Sequence, residues 1–88
     1  MRRNADFLLQ DVAGTWVIVP VGEAVTAFPG MITVNETGSF IWQLLETEQT
    51  VQTVAEALAA RYEVSQEQAM ADAEAFFHQL KPTGALLD

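Results

Sequence analysis

The sequence predicts an α+β fold of winged-helix-like order, a three-stranded antiparallel β-sheet followed by three α-helices. Two patterns predict it. Before residue 35, β-branched and aromatic residues crowd into short runs; after it, apolar residues recur at the 3.6-residue spacing of helices. A length of 88 residues adds that there is chain for one small core, and so for a single domain over residues 1–88.

Phe7-Leu8-Leu9-Gln10-Asp11-Val12 and Thr15-Trp16-Val17-Ile18-Val19 read as the first two strands, joined by a tight hairpin turn at Ala13-Gly14. Pro20 should end the second strand, because proline cannot donate to a ladder. Residues 21–28 have no clean period and stay unassigned, their end compatible with extended chain. Pro29-Gly30 marks a turn. Met31-Ile32-Thr33-Val34 then reads as the third strand, and a sheet of three strands is open and has edges.

Asn35 is a good N-cap for the first predicted helix, in which Phe40, Ile41, Leu44 and Leu45 form one stripe. Trp42 falls outside that stripe, so it either packs against the sheet or marks a second partner surface. Thr50 caps a second helix with Val51, Val54, Ala55, Leu58, Ala59 and Tyr62 on one face. Glu63-Val64-Ser65 makes a three-residue turn. Ser65 and Gln68 then form a capping box, with Val64 stapled onto Ala69. The third predicted helix carries Ala69, Met70, Ala73, Phe76, Phe77 and Leu80 in an apolar stripe and stops before Pro82. Gly84 lets the chain turn so that Ala85-Leu86-Leu87 packs back on the domain.

Charge and composition exclude several functions. Twelve acidic residues against four basic ones give a net charge of −8 and a pI near 4.3. Such a chain repels the phosphates of nucleic acid and the headgroups of anionic membranes. The helical half contains a helix-turn-helix, and a winged-helix DNA-binding regulator is the alternative reading. Its recognition helix would bring Glu67, Asp72 and Glu74 to the major groove, the wrong sign for phosphate. The absence of cysteine excludes disulfides, thiolate zinc sites and a thiol nucleophile. No run approaches the ~20 apolar residues of a membrane span, and the opening residues lack the apolar stretch of a secretory signal. The expected location is the cytoplasm.

No constellation of residues supports catalysis. His78 is the only histidine, and its place on the third predicted helix points it at water with Glu74 as its single carboxylate at i−4. Ser39 has no identifiable base, and Gly38 opens a helix without the lysine of a phosphate loop. Asn35-Glu36-Thr37 matches a glycosylation sequon, but the asparagine is better explained as a helix cap. The expectation is a binding protein without cofactor or metal.

The run Gly30-Met31-Ile32-Thr33-Val34-Asn35-Glu36-Thr37-Gly38-Ser39-Phe40-Ile41-Trp42-Gln43-Leu44-Leu45 resembles the signature of the PqqD-like peptide chaperones, also called RiPP recognition elements. The hairpin Asp11-Val12-Ala13-Gly14-Thr15-Trp16-Val17-Ile18-Val19-Pro20 is similar too. So is the second half, from Thr53-Val54-Ala55-Glu56 through Tyr62-Glu63-Val64 to Phe76-Phe77-His78-Gln79-Leu80. The likeness covers nearly the whole chain and is most specific at Asn35-Glu36-Thr37-Gly38. Pro82 departs from it, standing where similar chains keep helix formers.

The resemblance implies a noncatalytic adaptor. Such domains bind the leader of a ribosomally made precursor peptide and present it to a modifying enzyme, often a radical S-adenosylmethionine protein whose cofactor belongs to that partner. The leader adds as a strand beside the third β-strand, in a groove whose other wall is the third helix. In this sequence the strand residues are Met31, Ile32, Thr33 and Val34, and the wall lies within residues 69–80. The residues suit this role: positions 31–34 carry no charge or proline to blunt an edge, and strand addition gains affinity from main-chain hydrogen bonds. Ala69, Ala73, Phe77 and Leu80 lie near the centre of the stripe and read as core, and the alanines at 69 and 73 would leave room for a strand to approach. Phe76 with Asp72 beside it forms one margin of the apolar stripe, and Met70 with Glu74 forms the other. An aromatic beside a carboxylate favours Phe76 and Asp72, for a peptide carrying an apolar anchor and a cation; core filling is the other reading of Phe76. Which margin faces the third strand stays open. So does the reading in which that strand's edge is covered, by the N-terminus or by a second copy in a homodimer.

Overall fold

A computed structural model describes residues 1–87; Asp88, the last residue of the expected 1–88 domain, lies outside the described residues. The elements in chain order are β1 (Arg2–Arg3), β2 (Phe7–Val12), β3 (Thr15–Pro20), α1 (Ala24–Ala27), β4 (Ile32–Val34), α2 (Glu36–Leu44), α3 (Val51–Tyr62) and α4 (Gln66–Leu80). A 3-10 turn (Lys81–Thr83) and β5 (Leu86–Leu87) follow. The expected α+β order holds: a three-stranded antiparallel sheet, β2-β3-β4, precedes the three long helices α2, α3 and α4, with only the single turn α1 inserted before β4.

Local chemistry explains each junction. Ala13 and Gly14 both take positive φ, 54° and 85°, as the mirror-image turn of a two-residue hairpin requires, and Asp11 Oδ1 accepts from the Gly14 N–H at 2.9 Å. Asn35 is the single residue between β4 and α2, and its side chain accepts from the Gly38 N–H at 2.8 Å. Thr50 and Thr53 cap α3 reciprocally. Ser65 accepts from the Gln68 N–H at 3.1 Å, but the Gln68 side chain turns forward to Asp72 instead of closing the expected box. Val64 stays exposed, and Ala69 is buried by the core instead of by a staple. α4 stops at Leu80, and Pro82 sits in the 3-10 turn, where its ring no longer opposes an α-helical carbonyl.

Three features differ from expectation. Pro20 does not fall outside the second strand; it is its last residue, opposite Phe7. Residues 24–27 form one helical turn, after which Phe28 is extended. The chain ends also pair, Arg2 with Leu87 and Arg3 with Leu86, a ribbon no local pattern announced. Arg3 N–H donates to the Leu45 carbonyl at 2.9 Å, and Asn4 N–H to that of Ala85 at 2.8 Å.

One apolar cluster joins the layers: Phe7, Ile18, Ile32 and Val34 from the sheet meet Ile41, Trp42 and Leu45 of α2, Val54, Ala55 and Leu58 of α3, and Ala69, Ala73, Phe76, Phe77 and Leu80 of α4. Trp42 is buried, with the Arg3 guanidinium 5.9 Å from its ring and a hollow shared with Phe7 and Leu9. It packs against the sheet. Among the described residues no helix is long and apolar enough to cross a membrane.

Glu63 ends α3 in the left-handed region, φ 54° and ψ 39°, a conformation that costs a residue with a Cβ about 1–2 kcal/mol. Glycine removes that cost and forfeits part of the gain to its freer unfolded chain. Glu63→Gly should therefore stabilise the fold by about 0.5–1 kcal/mol, read as a higher urea midpoint at unchanged slope.

Candidate functional site

Three elements meet at the open side of β4, and hairpin parity decides what that side presents. A two-residue turn is closed by a hydrogen-bonded pair, here Val12 and Thr15, and such pairs alternate along an antiparallel ladder. Thr15, Val17 and Val19 thus direct their backbone groups to β2, and Trp16 and Ile18 direct theirs to β4. Trp16 lies opposite Val34, and Ile18 opposite Ile32. Thr33, between them, turns its N–H and C=O away from the sheet. The Gln79 side chain of α4 donates from Nε2 to that Thr33 carbonyl oxygen at 3.4 Å, a long and weak bond. The same parity explains Pro20: its missing N–H would face the β4 side, beyond the last pair of β4.

Side chains alternate the other way. Ile32 and Val34 point to the helices and are buried, whereas Thr33 is exposed, and Met31 at the mouth of the strand is 61% exposed. Among the described residues no strand pairs with the second side of β4. The reading in which the N-terminus covers this edge is not what forms: residues 2–3 pair with residues 86–87 instead.

Beside the edge lies a cleft of about 240 Å³. Asn35, Thr37, Gly38 and Ile41 form one wall, and Asp72, Ala75, Phe76 and Gln79 of α4 form the other. The margin of α4 that carries Asp72 and Phe76 therefore faces β4 and the start of α2. The opposite margin, with Met70, Glu74 and His78, borders Met1 and Val51 instead. Asp72 is half-buried, and its Oδ1 accepts from Gln68 Nε2 at 2.8 Å. Phe76 is only 6% exposed and serves both the core and the cleft. Ala69 and Ala73 are fully buried in the core, and neither lines the cleft. Gln79 was not singled out by sequence, although it follows Asp72 and Phe76 at i+7 and i+3 on the same helix face.

The site offers an unpaired peptide group, an apolar floor and a polar rim. His78 is exposed, and among the described residues no group of three His, Cys, Asp or Glu side chains could hold a metal ion. The exposed face of α4 carries Glu67 and Glu74, so the structure adds nothing in favour of DNA reading.

Residues 15–86 match the family described as "Coenzyme PQQ synthesis protein D (PqqD)". Two solved structures have this fold. One, described as TbiB1 in complex with the TbiA(beta) leader peptide, has a TM-score of 0.74 and 19% identity over 100% of both chains. The other, lasso peptide synthetase B1 complexed with the leader peptide, has a TM-score of 0.74 and 24% identity, covering 99% of this chain and 96% of that one. Among curated proteins none matches this chain.

Gly38 closes the base of the cleft. A Cβ there would meet Phe76 Cε1 and Val34 Cβ, each at 3.0 Å. Gly38→Ala gains helix propensity but must push a core ring or the end of β4 aside, so a net loss of about 1–3 kcal/mol is expected. Urea unfolding measures it, and pairing the change with Phe76→Leu should recover part of the loss.

Proposed function

The chain belongs to the PqqD family, and from that premise we propose that it is a noncatalytic peptide chaperone. It takes up the leader of a ribosomally made precursor peptide as an extra strand on β4 and presents it to a modifying enzyme. Residues 1–88 act as one binding domain in the cytoplasm. On this reading the chemistry belongs to the partner, in this family often a radical S-adenosylmethionine protein.

The observation that carries the reading is the outward peptide group of Thr33 on an unpaired strand beside the α4 cleft. An edge without charge, proline or bulge is a hazard that proteins ordinarily blunt. Here the cover is a single long hydrogen bond from Gln79, which an incoming backbone N–H can replace. Both structurally similar proteins were solved with a leader peptide, which supports the same mode of use. Ile32, Thr33 and Val34 supply the strand, which begins one residue later than the sequence predicts and leaves Met31 at its mouth; Asp72 and Phe76 supply the wall; Ala69 and Ala73 contribute from beneath by keeping α4 close to the core.

Parity makes the test specific. Thr33→Pro removes an outward donor and leaves the β3 ladder whole, so the fold should persist by circular dichroism. Its affinity for a synthetic leader peptide that the wild-type protein binds should fall about tenfold or more, because a ladder bond is lost and the proline ring obstructs the guest strand. Ile32→Pro removes a donor to Ile18 and should destabilise the sheet itself. Undiminished binding by a folded Thr33→Pro protein overturns strand addition at this edge. Sedimentation showing obligate self-pairing that no peptide displaces would instead favour a homodimer closed through β4.

A further inference from the structure

In an added strand, the residue lying opposite Thr33 shares its outward-facing side, and the neighbours opposite Ile32 and Val34 turn their side chains toward the helices. The one opposite Val34 arrives at the cleft between Gly38 and α4, because Val34, Gly38 and Phe76 are mutual neighbours. That cleft is where sequence selection can occur, since the ladder itself is blind to side chains.

Its chemistry has one sign. The rim holds the Asp72 carboxylate, of which one oxygen is bonded to Gln68, together with the neutral Asn35, Thr37 and Gln79. None of the chain's four basic residues, Arg2, Arg3, Arg61 and Lys81, lines it. The positive end of α2 is already answered by the Asn35 cap and by Glu36 in the first turn. The floor is the exposed edge of the Phe76 ring, 6% of that residue, backed by the fully buried Ile41, and an aliphatic stem can lie against that edge while its charged head stays at the wet rim. With a net charge of −8 behind it, the cleft favours a cation over an anion at long range as well.

We infer that this cleft is a selectivity pocket for a basic residue, Lys or Arg, of the bound peptide strand, with Asp72 as its charge partner and Phe76 as the floor under its stem. The inference rests on the strand-addition reading and deepens it by naming the side-chain class that the site selects. Asp72 is the specificity determinant, and Thr33 remains the affinity determinant.

Random dodecapeptides displayed on phage, panned against the full chain, are the probe. Wild-type protein should enrich Lys or Arg at one fixed position of an otherwise apolar-alternating strand. Asp72→Asn should lose that enrichment, with synthetic copies of the selected peptides binding about three- to tenfold more weakly. Asp72→Lys should enrich Asp or Glu at the same position. Asp72 is half-buried at the rim, so both variants should retain the wild-type circular dichroism. Enrichment that is absent, or unchanged in both variants, overturns the pocket while leaving strand addition standing, provided Thr33→Pro still abolishes capture. Acidic enrichment on wild-type protein would assign the cleft to the α2 N-terminus and overturn the inference too. Peptides captured equally well by Thr33→Pro would overturn strand addition itself.

Discussion

A two-residue turn sets the parity on which the rest depends. Once Val12 and Thr15 close the hairpin as a bonded pair, every backbone group of β3 is committed to one neighbour or the other, and β4 inherits the alternation. Thr33 is left facing outward by arithmetic, not by its own chemistry. A slip of one residue would present Ile32 and Val34 backbone at the edge and push their side chains out of the core. Burial of those two residues therefore locks the orientation of the free peptide group.

The second constraint is the absence of slack between β4 and α2. With Asn35 as sole linker, the end of the strand and the start of the helix cannot move independently. α4 lies beside this junction, and the missing Cβ of Gly38 leaves the space into which Phe76 and Val34 both reach. Edge, cap and wall are thus one rigid corner. On the strand-addition proposal, that geometry would reduce the ordering cost of binding, because only the guest would have to become extended.

Much of this was legible in the residues. The strand runs, the Ala13-Gly14 turn, the Asn35 cap and the helical stripes are short-range signals, and they appear where expected. The paired termini were not legible, because Arg2-Arg3 has no strand character and its partner lies at the far end of the chain. Glu63 in the left-handed region is not legible either, because a residue with a Cβ carries no preference for that conformation. At the site, the Phe76–Asp72 margin was chosen on chemistry and does face β4. Ala69 and Ala73 lie inside the core, as their central position on the apolar stripe implies, and for that reason do not line the cleft. Gln79 shares a helix face with Asp72, and spacing alone could have flagged it; its bond to Thr33 depends on three-dimensional placement.

The pairing of β1 with β5 has an architectural consequence. Residues 2–3 and 86–87 lie side by side, on the side of α4 that borders Met1 and away from the β4 corner. A tether attached at either end leaves the receiving edge unobstructed, and the ends are near enough for circular permutation. The terminal ribbon and the open strand edge therefore occupy different sides of the fold, and neither stands in the way of the other.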